Sequence, residues 1–89
     1  MTEFIYTVQD ALGIHARPAG QIARFAKANA ARAAVTVEKM GGASADAQRV
    51  IALMRLGAKP GDALRITVDG PEADAVADEM RRLLEQEKL

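Results

Sequence analysis

The chemistry open to this chain narrows to one short stretch. Among its 89 residues there is a single histidine, His15, and no cysteine. Histidine titrates near neutrality, so a nucleophilic neutral imidazole is abundant there. Arg17 follows two positions later, and its guanidinium forks onto phosphoryl or carboxylate oxygens. Pro18 suits the first turn of a helix, where the N–H it lacks would go unpaired anyway. The free N–H groups and the positive dipole end of such a turn attract an anion. Gly13 lets the backbone approach a partner closely. The run Gly13-Ile14-His15-Ala16-Arg17-Pro18-Ala19 thus holds the parts needed to accept and hold a phosphoryl group. Residue chemistry by itself leaves a plainer alternative open: a boundary histidine beside a solvated arginine.

No other constellation competes. Without cysteine there is no disulfide framework, thiolate metal site or thiol nucleophile. Neither a metal-ligand cluster, a phosphate loop ending in Lys-Ser/Thr, nor a nucleophile–base–acid set can be assembled. No metal or cofactor is therefore expected. Twelve basic residues balance twelve acidic ones, which is poor footing for nucleic-acid binding. Phe4, Tyr6 and Phe25 are the only aromatics, too few for stacking of bases. No apolar run approaches the ~18 residues of a membrane span, and Met1-Thr2-Glu3-Phe4-Ile5-Tyr6 lacks the layout of a signal peptide. The expectation is a cytoplasmic protein, monomeric by default.

The scaffold around His15 is written in hydrophobic periodicity. With no repeat or linker, residues 1–89 read as one domain. Thr2 to Val8 alternates as a strand with Phe4, Tyr6 and Val8 on one face. Gln9 to His15 is a loop. A helix over Ala16–Ala28 turns Ile22, Phe25 and Ala26 inward and Gln21, Arg24 and Lys27 outward. Val35 and Val37 mark a second strand, Gly41-Gly42 a tight reversal, and Ala43 to Ala45 a short third strand. Asp46 is placed to cap a helix through Val50, Ile51, Leu53 and Met54, stopped at Gly57. After the Pro60-Gly61 turn, Leu64, Ile66 and Val68 alternate as a last strand. Gly70-Pro71 opens a final helix with an apolar stripe of Ala73, Val76, Ala77, Met80, Leu83 and Leu84. The order β-α-β-β-α-β-α predicts an α+β open-faced β-sandwich, a four-stranded antiparallel sheet with three helices on one face.

The Gly13–Ala19 run resembles the active-site signature of the HPr family, the histidine-containing phosphocarriers of the bacterial phosphotransferase system. Element order and the Met54-Arg55-Leu56-Gly57 helix ending extend the resemblance over essentially the whole chain. It implies a carrier that is not a turnover enzyme. By the same resemblance, phosphorylated Enzyme I would donate a phosphoryl group to Nδ1 of His15, which would pass it to a histidine of an IIA-type component. Arg17 would shield the charge, and the N–H groups around Ala16 and Arg17 would take phosphate oxygens. The same resemblance makes Val50, Ile51 and Met54 an exposed docking patch, with Leu53 and Leu56 facing the sheet. A core role for Val50 is the alternative. Arg24 and Lys27 are available to acidic partner surfaces, or are simply solvated. Many relatives carry a regulatory serine eight residues before the glycine that ends the middle helix; here that position is Arg49. Ser44, the only serine, lies five residues earlier and reads as a hairpin or cap residue. The stretch from Asn29 to Gln48 is longer than the usual pattern. Two rivals remain: a paralogue serving a regulatory or nitrogen-linked branch, and a small ligand-binding α+β domain that dimerises through its sheet.

Overall fold

Alternation of apolar and polar side chains builds the sheet. In a computed structural model, which describes residues 1–89, strands β1 (Thr2–Thr7), β2 (Ala34–Lys39), β3 (Ser44–Asp46) and β4 (Ala63–Asp69) lie in the order β1-β4-β2-β3. Every neighbouring pair is antiparallel. The register lines up Phe4, Ile66, Val37 and Ala45 across all four strands, so one apolar row runs the width of the sheet. The next row, on the opposite face, is Ile5, Arg65, Glu38 and Ser44. Helices α1 (Ala16–Ala28), α2 (Val50–Arg55) and α3 (Ala73–Gln86) complete the α+β open-faced fold. Their buried stripes join the inner face of the sheet in one cluster of 25 residues.

The expected helix over Ala16–Ala28 forms with those bounds, although Phe25 is only half-buried and Ala19 and Ala23 fill the tighter positions. Leu53 and Leu56 turn into the core as expected. Asp46 does not cap α2. It ends β3, and its carboxylate accepts the Gln48 N–H at 2.9 Å while its carbonyl accepts the Arg49 N–H at 3.1 Å. The chain needs those residues to turn out of the sheet, so the N-cap falls on Arg49. Likewise Gly70-Pro71 forms a turn, and α3 begins at Ala73.

One arginine staples that turn to the far end of α1. Arg32 reaches Glu79 with two parallel bonds, NH1 to Oε1 at 3.0 Å and NH2 to Oε2 at 2.9 Å. Its Nε donates to Glu72 at 3.1 Å, and its NH1 also reaches Asn29 Oδ1 at 2.8 Å. Bidentate, charge-assisted geometry of this kind is the strong form of an ion pair. Gly70 passes directly beneath: a Cβ there would lie 2.6 Å from Ala33 Cα and 2.7 Å from the Arg32 carbonyl oxygen.

Two predictions follow from this staple. Gly70→Ala should destabilise by about 1–3 kcal/mol, since backbone on both sides must move; chemical denaturation at neutral pH measures it, and an unchanged midpoint would remove the close approach. The Arg32 guanidinium holds the Glu79 carboxyl below its ordinary value. A depressed folded value means stability that is present above the unfolded value and lost as pH falls through the folded one. Wild-type melting temperature should therefore decline as pH drops through and below the ordinary glutamate range. Arg32→Met should decline less steeply over that interval, whereas parallel curves would count against the staple.

Candidate functional site

Gly13 shapes the approach to His15. Its φ of +73° suits glycine, and a Cβ there would run into the carbonyl oxygen of Ala58. That same oxygen accepts the Ile14 N–H at 3.0 Å. The freedom of Gly13 thus serves a close approach to the protein's own chain, not to a partner as its sequence setting suggested. With Ile14 buried behind it, His15 is placed as the N-cap of α1 in an extended conformation (φ −101°, ψ −164°). Its carbonyl accepts the Ala19 N–H at 2.9 Å, and its side chain is left out of the capping. The opening N–H groups of Ala16 and Arg17 precede the first intrahelical bond, and Pro18 has none to contribute. The imidazole therefore sits at the positive end of a 13-residue helix.

The residue that organises this end is Asp10, which by its sequence setting is a loop residue with no chemical role of its own. Its Oδ1 lies 3.1 Å from His15 Nε2 and accepts the Leu12 N–H at 2.9 Å. Its Oδ2 accepts from Arg17 at 2.7 Å. The side chain is only 10% exposed. The Leu12 N–H, followed by the Arg17 and His15 contacts, holds its carboxyl below the usual carboxylate range. An ionised carboxylate can only accept, so Nε2 of the neutral imidazole carries the proton and the lone pair resides on Nδ1. An aspartate folding onto the N–H two residues on is a common turn device. That preference, with His15 five residues later, is the signal that could have singled it out.

Arg24 and Lys27 lie exposed on α1, and neither takes part in an ion pair. On α2, which packs beside α1, Ile51 is 61% and Met54 39% exposed, while Val50 is half-buried against the core. Three candidate docking residues are thus split two to one. Arg49 and Arg55 flank them and are also exposed and unpaired. Between Ala16 and Ala28, and again between Arg49 and Arg55, every charged residue is basic. A chain of zero net charge therefore carries a cationic pair of helices around two exposed apolar side chains. Ser44 lies exposed in the short edge strand β3, outside α2, and lines one surface groove with Arg49 and Ile51. No three His, Asp or Glu side chains are grouped so as to hold a metal, and no helix is long and apolar enough to cross a membrane.

Known proteins share both pattern and fold. The PTS-HPr family, described as the PTS HPr component phosphorylation site, matches residues 2–86. The phosphocarrier protein HPr of Vibrio cholerae is 35% identical over 74 residues, which cover 83% of this chain and 84% of that protein. A multiphosphoryl transfer protein of Xanthomonas campestris is 33% identical over 82 residues, 92% of this chain but 9% of that longer protein. Among solved structures, an HPr-C-His protein from Thermoanaerobacter tengcongensis superposes with a TM-score of 0.84 at 24% identity, covering 96% of this chain and 92% of its own. The HPr of Bacillus anthracis gives 0.75 at 25% identity over 89% and 90% of the two chains. With the family match spanning nearly every residue, His15 included, the chain belongs to the HPr family of phosphocarrier proteins of the phosphotransferase system.

Proposed function

We propose that this protein takes a phosphoryl group from phosphorylated Enzyme I on Nδ1 of His15 and hands it to a histidine of an IIA-type component. The observation that carries the reading is the Asp10 bridge, which ties up Nε2 and leaves the Nδ1 lone pair at a helix N-terminus. Nδ1 attacks phosphorus, the new N–P bond forms as the bond to the donor breaks, and the donor leaves with its electron pair. Positive charge left on the ring is balanced by Asp10 through the Nε2 proton. Arg17 is half-exposed and free to exchange the Asp10 carboxylate for phosphoryl oxygens, which also meet the N–H groups of Ala16 and Arg17. Delivery to the acceptor reverses these steps. Positioning and charge stabilisation carry phosphoryl transfer of this kind, and no cofactor of the carrier's own is required.

Docking falls to the α1–α2 face in this proposal. Ile51 and Met54 form the apolar centre, with Val50 supporting them from the core side. Arg24, Lys27, Arg49 and Arg55 supply a basic surround for an acidic partner. Methionine suits a surface that meets several partners because its side chain is flexible and polarizable. Arg49 at the start of α2 favours a branch of the system without serine-kinase control. Its charge is opposite to that of a phosphoserine, and Ser44 is displaced into β3. In this reading residues 1–89 work as one cytoplasmic carrier domain.

His15→Ala should abolish phosphoenolpyruvate-dependent labelling by Enzyme I while changing stability by no more than about 1 kcal/mol. Acid-labile phosphate persisting on that variant, seen by intact mass, would relocate the chemistry. Arg17→Ala should slow transfer about tenfold or more, as loss of a charge-assisted contact worth roughly 1.5–3 kcal/mol requires. Ile51→Glu and Met54→Glu should act differently, raising the apparent KM for Enzyme I and leaving the transfer rate at saturation unchanged. A fall at saturation with unaltered KM would take these two residues out of the docking face.

A further inference from the structure

We infer that Leu89, tucked in by the turn that ends α3, is a positioning residue for His15, acting through Asp10. The inference rests on the reading of His15 as phosphoryl acceptor. Helix α3 closes with two reverse bonds: Leu89 N–H to the Leu84 carbonyl at 3.0 Å, and Lys88 N–H to the Glu85 carbonyl at 3.3 Å. This is the double-bonded helix ending that normally places glycine at the left-handed residue. Here that residue is Lys88, at φ +53°, the only non-glycine residue with positive φ in the protein. The strained turn drives the Leu89 side chain fully into the core, with 0% exposure. It also aims the Leu89 main-chain oxygen at the loop, where it accepts the Gln9 N–H at 3.2 Å and the Asp10 N–H at 3.1 Å.

Those two bonds fall where the loop has little else. Its entry is tied at Val8, whose N–H donates to Asp62 and whose carbonyl accepts from Gly61, both at 2.9 Å. Its exit is tied by Ile14 to Ala58. Between them, the remaining tether to the body besides the Asp10 contacts with His15 and Arg17 is Gln9 Nε2, which donates to the Tyr6 hydroxyl at 3.1 Å. Tyr6 in turn donates to the Leu84 carbonyl at 2.9 Å, the oxygen that also anchors Leu89. Both tethers of residues 9 and 10 thus converge on one turn of α3. The Asp10 main chain must be fixed if its carboxylate is to hold Nε2 rather than wander into solvent.

The test uses the full chain and compares Leu89→Ala, Leu89→Met, Asp10→Asn and the Leu89→Ala/Asp10→Asn double variant. Two readouts need no partner: amide exchange at Gln9 and Asp10, and the imidazole ¹⁵N spectrum in mildly alkaline buffer, which reports the tautomer of His15. The third is the rate of phosphoryl transfer from Enzyme I. Leu89→Ala should speed exchange at both amides tenfold or more, mix the tautomers and slow transfer several-fold. Leu89→Met should restore all three. The double variant should transfer no more slowly than Asp10→Asn alone, because the alanine then has no aligned carboxylate left to disturb. Equal slowing by Leu89→Ala in both backgrounds, or no change in the tautomer, would overturn the assignment. Should Leu89→Ala unfold, Lys88→Gly relieves the strained residue and should slow exchange at Gln9 and Asp10; faster exchange there would equally overturn it. A wild-type chain that Enzyme I cannot label would remove the phosphocarrier reading, while exchange and tautomer would still decide the role of Leu89.

Discussion

The contact between Asp10 and the His15 ring is the constraint around which the rest of the molecule is arranged. An imidazole free to rotate and to change tautomer would present either nitrogen to a phosphoryl donor. A carboxylate on Nε2 removes that choice. The carboxylate can do so only while ionised and aimed, and both conditions come from outside itself. Ionisation is favoured by the Leu12 N–H, Arg17 and His15. Aim comes from the loop's anchoring to α3 at one end and to Ala58 at the other.

The sheet and helices serve that arrangement by bringing distant segments together. Antiparallel pairing of β1 with β4 sets residues 9 and 10 near the Pro60-Gly61 turn, where Val8 and Gly61 bond. Packing of α3 over the same strands returns residue 89 to residues 9 and 10. Small side chains make this closeness possible: Ala19, Ala23 and Ala26 let α1 sit low, and Ala58 and Gly13 touch backbone to backbone. The core has few aromatics and fits by closeness of approach, so losses of a single methyl group matter throughout.

Charge is distributed to match. Acidic residues fall on and beside α3, on the sheet, in Asp62 of the turn before β4 and in Asp10, so the charged residues of α1 and α2 are all basic. A net charge of zero therefore argues against a nucleic-acid binder without describing the surface a partner meets. In the proposed docking, local excess of one sign, focused on a face with exposed Ile51 and Met54, steers the encounter.

Much was legible beforehand because it is local. The period of two in Thr2–Val8 and Leu64–Val68, and the helical period after Pro18, are dictated by backbone geometry and appear as the strands and helix expected. The same holds for His15 at a helix start beside Arg17, and for Arg49 in place of serine at the start of α2. What the chain did not show in one dimension depends on contacts between segments far apart in it. Asp46 looked like a cap until pairing with β2 drew it into β3. Gly13 looked like an opening for a partner until Ala58 filled the space. Leu89 carries no stop signal before it, since Lys88 takes the conformation usually left to glycine, and its burial follows only from where β1 and the loop lie. Local periodicity determined the elements, and residue type singled out His15 as the candidate phosphoryl acceptor. Only tertiary structure decided which nitrogen is free, because the carboxylate that selects it is aimed by hydrogen bonds from the other end of the chain.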